Sequence, residues 1–242
     1  MTRLSRSFGI NFSPLVNSCV KAVCYHNCDA LRSPCSCRPA AMSEVTLGCI
    51  VEGQGDVMAA PVLIRRLAAW IDPACRITVS PPRRIPKSQL VRPDELERSV
   101  EALARQIGRA MPILILIDAD SDCPRNLAHD IRARCRTTHG DINVSAVVAK
   151  AEYETWFIAA AESLSRRSEF AHALTRPDDP EAIRGAKEWL TRQMKPGHRY
   201  VETRHQAAYS AVIDLAQALT VRSFQKLAAE LRRIIERAGT TA

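Results

Sequence analysis

The chain has 242 residues, of which 46% are hydrophobic and 25% charged, a composition typical of one globular domain or one domain with an appendage. No segment approaches the roughly 18 consecutive apolar residues that a membrane-spanning helix needs, so we expect no membrane partner. The four cysteines after Met42 are isolated and fit reduced residues of a cytoplasmic protein; they are Cys49, Cys75, Cys123 and Cys135. The formal net charge is +8, but residues 1–41 carry five Lys/Arg against one Asp, and the remainder is only mildly basic. Net charge alone therefore does not argue for nucleic-acid binding.

The first 41 residues differ from the rest of the chain. They contain five of the nine cysteines and no regular hydrophobic pattern, whereas Met42 directly precedes a strand-like sequence. We interpret residues 1–41 as a disordered extension, or as an upstream start with natural initiation at Met42. A zinc site is an alternative that lacks the duplicated CxxC spacing of zinc ribbons. Its ligands would be Cys24, Cys28, Cys35 and Cys37, with His26 nearby.

Strand and helix patterns alternate downstream of Met42. Apolar runs predict strands at 45–51, 76–80, 113–117 and 144–149. Helical spacing of apolar residues predicts helices at 56–71, from Pro93 onward, and at 124–136. A basic, proline-rich segment at 81–92 is interpreted as a loop. This order predicts an α/β fold with a parallel, doubly wound sheet flanked by helices.

The last third of the chain has no strand pattern. Helices are predicted at 153–163, 180–195, 203–219 and 221–238. We therefore expect an α/β domain at 42–163 and a helical extension at 164–242 that packs on it.

Acidic residues follow three of the four predicted strands. They are Glu52 and Asp56 after the first strand, Asp118, Asp120 and Asp122 after the third, and Glu152 and Glu154 after the fourth. The carboxyl ends of parallel strands meet at one edge of the sheet, which is where ligands bind in such folds. Clustered carboxylates repel one another unless a cation lies between them, and Mg²⁺ prefers oxygen ligands. The sequence thus predicts a site for one or two Mg²⁺ ions, with Mn²⁺ as a substitute.

Two ions at such a site would bind the attacking and leaving oxygens of a phosphodiester. Lys150 and the basic residues of the 81–92 segment would neutralise phosphates; these are Arg83, Arg84 and Lys87. Structural roles are the alternatives. Asp122, just before Cys123-Pro124, fits a helix N-cap better than a metal ligand, and the basic segment is otherwise a solvated connection. Asp56 and Glu154 would otherwise serve as first-turn helix charges.

Three motifs carry a family resemblance: VEGQGD at 51–56, LIDADSD at 116–122 and EYETWFIAA at 152–160. They resemble the TOPRIM nuclease domain of overcoming-lysogenization-defect proteins. They resemble more closely an uncharacterised bacterial family of stand-alone TOPRIM-like proteins, the domain of unknown function 4276 type. Its downstream pattern is matched by Tyr200, Thr203, Gln206, Asp214 and the run from Arg222 to Phe224. The resemblance covers nearly all of residues 43–238.

The resemblance implies a TOPRIM-like fold and a metal-dependent nuclease that cuts or nicks DNA. It implies Glu52 as general acid/base or metal ligand, with Asp56, Asp118 and Asp120 as metal ligands and Glu152 completing the metal site. The predicted catalytic group consists of Glu52, Asp118, Asp120 and Lys150. The resemblance also implies an ATPase partner and a role in phage defence or DNA repair. The chain departs from the family pattern at Asp56, where a Glu is common.

Other functional classes fit less well. A non-catalytic module that binds metal, nucleotide or an ATPase remains the alternative to the nuclease. A receiver-like phospho-acceptor domain is disfavoured because the acids lie two apart on one strand and a long helical extension follows. A phosphatase of the Asp-x-Asp type is disfavoured because its nucleophile follows the first strand, where this chain has Glu52.

Overall fold

The computed structural model describes residues 43–241, in which strands and helices alternate as far as residue 149. The strands are β1 (Ser43–Val51), β2 (Cys75–Val79), β3 (Arg83–Arg84), β4 (Ile113–Asp118) and β5 (Val144–Ala149). The helices between them are α1 (Gln54–Ile71), α2 (Lys87–Leu90), α3 (Glu95–Ile107) and α4 (Pro124–Thr138). The predicted extension at 1–41 and the alternative zinc site lie outside the described residues.

Only helices follow β5 in the described part of the chain. They are α5 (Thr155–Ala159), α6 (Ala161–Leu164), a 3₁₀ helix (Pro180–Ala182), α7 (Ala186–Gln193), α8 (Glu202–Ser210), α9 (Leu215–Ala218) and α10 (Arg222–Thr241). No helix among residues 43–241 combines the length and the apolar character that a membrane crossing requires.

The sheet is parallel throughout and has the order β2-β1-β4-β5. The two-residue β3 pairs with the last two residues of β1, on the strand edge that β2 leaves free. The predicted parallel sheet flanked by helices, with a helical extension at the carboxyl terminus, is confirmed. The architecture is consistent with a TOPRIM-like α/β fold.

Each face of the sheet packs against its own helices, and β4 explains how. Leu114 and Leu116 belong to the core on the side of α1, α8 and α10, whereas Ile113, Ile115 and Ile117 belong to the core on the side of α3 and α4. Because both faces are buried, the strand has apolar residues without polar alternation. The unbroken run of β4 is therefore required by the fold.

The helical extension shares the first of these cores with the sheet. The predicted packing face of α10, formed by Phe224, Leu227, Leu231 and Ile235, is buried there. Trp156 is fully buried against Phe224, and its indole N–H donates a 2.9 Å hydrogen bond to the Ser223 hydroxyl. A buried indole nitrogen needs such an acceptor. Residues beyond 164 therefore complete the core of the α/β region.

Several predicted elements differ from those observed. The 81–92 segment, predicted as a loop, contains β3 and α2, because its backbone completes the edge of β1. The helices predicted at 153–163, 180–195 and 203–219 are each divided. One break lies between the 3₁₀ helix, which ends at Ala182, and α7, which begins after Gly185, an N-cap residue with a left-handed φ of 68°. Another lies at Asp214, whose carboxylate accepts from the N–H groups of Ala216 and Gln217 and starts a new helix.

The interpretation of Asp122 as a helix N-cap is wrong. Cys123 occupies the N-cap of α4, and no side chain caps that helix end. The Asp122 carboxylate instead lies 3.0 Å from the ammonium of Lys87. Pro124 occupies the first helical position, where a backbone N–H would have no partner within the helix and where the fixed φ of proline suits a helix start.

Gly55 permits the closest approach between α1 and α8. A Cβ at this position would lie 2.9 Å from Cβ of Glu202 and would overlap Oε1 of Gln206. We expect Gly55→Ala to lower the free energy of unfolding by about 1–3 kcal/mol, since the packed helices must separate. Chemical denaturation measures this change. The matched control is Gly239→Ala in α10, where an added Cβ meets no atom within 4 Å. It should leave stability unchanged or raise it slightly, and equal losses in both variants would contradict the close approach.

Candidate functional site

A cleft of about 240 Å³ opens at the carboxyl edge of the sheet, where β1 and β4 end. Among the described residues that line it, two are cationic, Arg84 and Lys187, and six carry carboxylates. The carboxylates belong to Glu52, Asp56, Asp118, Asp120, Glu154 and Glu202. The cleft is therefore strongly acidic, at the edge where parallel sheets bind ligands.

Glu52 and Asp118 meet because β1 and β4 are adjacent. Glu52 follows the last residue of β1, and its Oε2 accepts a 3.3 Å hydrogen bond from the backbone N–H of Asp118, the last residue of β4. Burial raises the pKa of Glu52, and the Asp118 N–H opposes that shift. Two acids that sequence reasoning predicted are thus brought together.

Asp56 lies in the first turn of α1 and is 5% exposed. One carboxylate oxygen accepts from the N–H of Gly53 at 2.8 Å, and the other accepts from the side-chain amide of Gln206 at 2.6 Å. Burial nevertheless raises the pKa of Asp56. Asp56 therefore fulfils the predicted helix-start role and also lines the cleft.

Glu154 is the most deeply buried acid of the cleft, with no exposed surface. Its Oε1 accepts a 2.9 Å hydrogen bond from the hydroxyl of Tyr200. Its Oε2 is buried and has no hydrogen-bond partner among the described residues. Burial raises the pKa of Glu154 to about 8. A buried carboxylate oxygen without a donor is costly in a metal-free protein and is available to a cation.

Asp118 is at the centre of the acidic cluster. Burial raises its pKa well above the usual value, and the charges of Glu154, Asp56 and Glu52 raise it further. Shifts of this size reflect carboxylates that cannot all be ionised together in a confined, poorly solvated space. Perturbed acids in a cleft are characteristic of functional sites.

Lys187, from α7, supplies positive charge to the cleft. Its ammonium forms an ion pair with Glu202 and lies 3.9 Å from a carboxylate oxygen of Glu152. Burial disfavours its charge, but Glu154, Glu202 and Asp118 outweigh that effect and raise the pKa of Lys187. The helical extension therefore contributes the cation that partly balances the acids of the sheet.

Asp120 occupies a strained loop next to the cleft. Its φ is 52°, and its N–H donates a 2.9 Å hydrogen bond to the carbonyl of Ala151, whose φ is 61°. Left-handed conformations are unfavourable for residues other than glycine and persist where the surroundings enforce them. Lys87 holds the loop with hydrogen bonds of 2.9 Å to the Asp120 carboxylate and 2.8 Å to the carbonyl of Ala119.

Replacing Lys87 with Met should destabilise this loop. The side chain is 17% exposed and binds Asp120, Asp122 and the Ala119 carbonyl, so its removal leaves three acceptors without their donor. We expect the free energy of unfolding to fall by about 1–2 kcal/mol, measured by urea denaturation without added metal. Arg98→Met removes an exposed ion pair with Glu95 and should cost less than about 0.5 kcal/mol. A Lys87→Met variant as stable as the Arg98→Met control would show that Lys87 does not stabilise the loop around Asp120.

Some predicted site residues lie elsewhere. Glu152 does not line the cleft, because its Oε1 accepts from the N–H of Ala186 at the start of α7. Lys150 lines a different cavity, beside α4 and α10. Arg83 is exposed in β3, whereas Arg84 reaches the cleft and donates to the carbonyl of Glu52 at 3.2 Å. Lys87, predicted to bind phosphate, is paired with acids.

The donor chemistry of the cleft fits a hard divalent cation. Carboxylate oxygens and the unpaired amide oxygen of Gln206 are ligands that Mg²⁺ and Mn²⁺ accept. Within residues 43–241, however, no three His, Cys, Asp or Glu side chains are arranged closely enough to hold a metal ion. Lys87 and Lys187 bind Asp120 and Glu202 instead. A bound cation would have to draw these carboxylates inward.

Sequence reasoning missed Lys187 and Glu202, which come from helices far along the chain and carry no motif. It named Gln206 and Tyr200 only as positions of the family pattern. The structure gives both a physical role, since Gln206 donates to Asp56 and Tyr200 to Glu154. The matching positions of that pattern were the one signal that pointed to these two side chains.

Comparisons with known proteins identify one family. The model of the family described as "Domain of unknown function (DUF4276)" matches residues 51–232. No curated protein and no solved structure matches the chain. The matched range includes every residue of the acidic cleft.

Proposed function

The chain belongs to the DUF4276 family. We propose that it is a Mg²⁺-dependent enzyme that cleaves phosphodiester bonds of nucleic acid, with Mn²⁺ as a substitute metal. The observation that carries the proposal is the convergence of acids from β1, α1, β4 and α5 in one cleft, with a buried oxygen of Glu154 left unpaired. Holding these carboxylates close together costs free energy. A bound divalent metal ion would offset that cost, because it supplies two positive charges at once.

Four residues would hold the metal. Glu52, Asp56 and Asp118 line the cleft, and Glu154 lines it in place of Glu152, the fourth-strand acid expected from the sequence. Asp120 lies at the rim and would join after releasing Lys87. Bound metal ions would polarise the phosphoryl oxygens and lower the pKa of the attacking water.

The protein side chains have distinct tasks around that centre. Gln206 orients Asp56, and Tyr200 orients Glu154, so that both carboxylates keep a fixed position. Arg84 lies at the cleft and carries a charge suited to a phosphate. Glu52 is partly buried, burial raises its pKa, and its position in the cleft suits proton transfer to or from a water molecule there.

The experiment is a titration of the full chain with Mg²⁺ and Mn²⁺ on supercoiled plasmid and on end-labelled single strands of DNA and RNA. Metal-dependent conversion of the plasmid or strands, absent in EDTA and with Ca²⁺ alone, is the expected result. No cleavage of any substrate at any concentration of either metal would contradict the nuclease function.

A second candidate function is a metal-binding regulatory module without turnover. It is favoured by the ion pairs of Lys87 and Lys187, which already neutralise two carboxylates at the rim. This function predicts a rise in melting temperature with Mg²⁺ and no cleavage. The same titration, followed by differential scanning fluorimetry, separates the two candidates.

The wider setting follows from the resemblance. The TOPRIM nuclease domain of overcoming-lysogenization-defect proteins has acids after corresponding strands, and that likeness supports cleavage of DNA. A role in phage defence or DNA repair, with an ATPase partner that controls cleavage, is part of the same proposal. Co-purification of the chain with an ATPase from its own cells would support it.

A further inference from the structure

We propose that a basic groove along the edge of the sheet binds the sugar-phosphate backbone of a nucleic-acid strand. The groove runs over β5 between α4 and the start of α10. This inference rests on the proposed function and extends it, because it names where the substrate lies outside the acidic cleft.

The groove consists of two adjoining cavities. One, of about 630 Å³, is lined by residues of α4, by Ala146, Val148 and Lys150 of the β5 segment, and by the first turns of α10. The other, of about 380 Å³, is lined by Asn143 and Val144 at the opposite end of β5. Arg132 lines both. The groove therefore extends along the whole strand, roughly 20 Å at the rise of a parallel β-strand.

Cations without carboxylate partners line this groove. Among residues 43–241, the side chains of Arg125, Arg132, Arg136, Lys150 and Arg222 form no ion pair and no hydrogen bond. Unpaired surface cations grouped in a groove form the electrostatic footprint of a phosphate backbone. Lys226 also lines the groove but contributes less, because it pairs with Glu230 at 2.6 Å.

The acids in the groove are already engaged. Glu181 accepts a 3.0 Å hydrogen bond from the N–H of Ser223 at the start of α10. Asp141 pairs with Arg109 at 2.7 Å. Neither carboxylate pairs with the five unpaired cations, which outnumber these acids, so the groove presents net positive charge to a ligand.

The floor of the groove is apolar. Ala128, Ala146 and Val148 lie between the cationic walls and are buried. A groove with cationic walls and no charge on its floor suits the backbone of an extended strand, whose phosphates meet the basic side chains. An acidic protein segment would satisfy the walls but lacks the regular spacing of phosphates, so we assign the groove to nucleic acid.

The groove ends beside the acidic cleft. Lys150 lies between Ala149 and Ala151, whose carbonyls accept hydrogen bonds from the N–H groups of Ala119 and Asp120. A strand bound in the groove thus reaches the loop that carries Asp120. This placement gives Lys150 the phosphate-neutralising role predicted from the sequence, but in the groove and not in the acidic cleft.

The test measures binding without cleavage. Fluorescence anisotropy of labelled single-stranded DNA, single-stranded RNA and duplex DNA is followed in EDTA with the full chain. The groove variant carries Arg125→Gln, Arg132→Gln, Lys150→Gln and Arg222→Gln. The control variant carries Arg65→Gln, Arg76→Gln, Arg166→Gln and Arg192→Gln, four arginines outside both cavities that change the net charge equally.

The groove variant should bind single strands at least tenfold more weakly than the wild type, and the control variant within about twofold of it. The salt dependence of binding should become shallower, by about 0.7 in log–log slope for each phosphate that the variant no longer neutralises. Equal weakening in both variants, or competition by polyglutamate as strong as by DNA, would overturn the proposal. If the groove variant cleaved with metal and bound single strands as tightly as the wild type, the groove would not be the binding site, and the nuclease function would stand. Groove-dependent binding without any cleavage would overturn the nuclease function alone.

Discussion

Asp118→Asn is expected to reduce metal-dependent cleavage by on the order of 10³-fold, since it removes a charge at the centre of the proposed site. The same change should raise the melting temperature of the metal-free protein above about pH 8, where Glu154 is ionised. Asp118 is repelled by Glu154, Asp56 and Glu52, and its pKa is raised mainly by burial. A neutral amide of the same shape removes that repulsion. Cleavage assays and calorimetry in EDTA measure the two effects.

The matched control for this variant is Asp122→Asn. Asp122 lies in the loop that follows Asp118, and it pairs with Lys87, but it does not line the cleft. It should retain cleavage within about threefold, and its stability should fall slightly because an ion pair is removed. Abolished cleavage in both variants would indicate a disturbed loop, and a destabilised Asp118→Asn protein would contradict the repulsion among the acids.

The stability of the metal-free protein is expected to fall as pH rises through the neutral range, with Glu154 a major cause. Its pKa is near the ordinary 4.5 in the unfolded chain and about 8 in the fold. Between these values the folded carboxyl is protonated while the unfolded one is ionised. Its favourable contribution is therefore complete below the lower pKa and is lost as pH rises to the upper one. The expected loss is about 2–3 kcal/mol between about pH 5 and about pH 7.

Glu154→Gln should flatten this pH profile, since the amide still accepts from Tyr200 and does not titrate. Glu236→Gln replaces an exposed glutamate of α10 and should leave the profile unchanged. Urea denaturation across the pH range measures all three proteins in EDTA. A wild-type profile that is flat, or one that rises with pH, would show that Glu154 is ionised in the fold.

The strands and the acidic edge could be predicted because each depends on local sequence. The run at β4 is apolar at every position since its alternate residues belong to two cores, and Asp118 follows it directly. Parallel pairing of β1 with β4 then brings Glu52 to Asp118 without further information. Sequence order and strand chemistry were sufficient for this part of the site.

The choice between Glu152 and Glu154 could not be made from sequence. Both follow β5, and they are separated by one residue. The left-handed turn at Ala151 and the buried position of Tyr153 direct the chain so that Glu154 enters the cleft while Glu152 meets the start of α7. That outcome depends on helices more than 30 residues downstream, as do the interactions of Lys187 and Gln206. Long-range packing of this kind leaves no local pattern.

The packing of α7 and α8 beside the cleft also determines how the chain can be divided. A fragment ending at residue 163 would keep Glu52, Asp56, Asp118 and Glu154 but lack the tyrosine, lysine and glutamine that orient or balance them. It would also expose the apolar surface on which α8 and α10 pack. The α/β region that carries these acids and its helical extension therefore form one structural unit. Recombination, fragment expression or fusion should preserve them together, with tags attached outside residues 43–241.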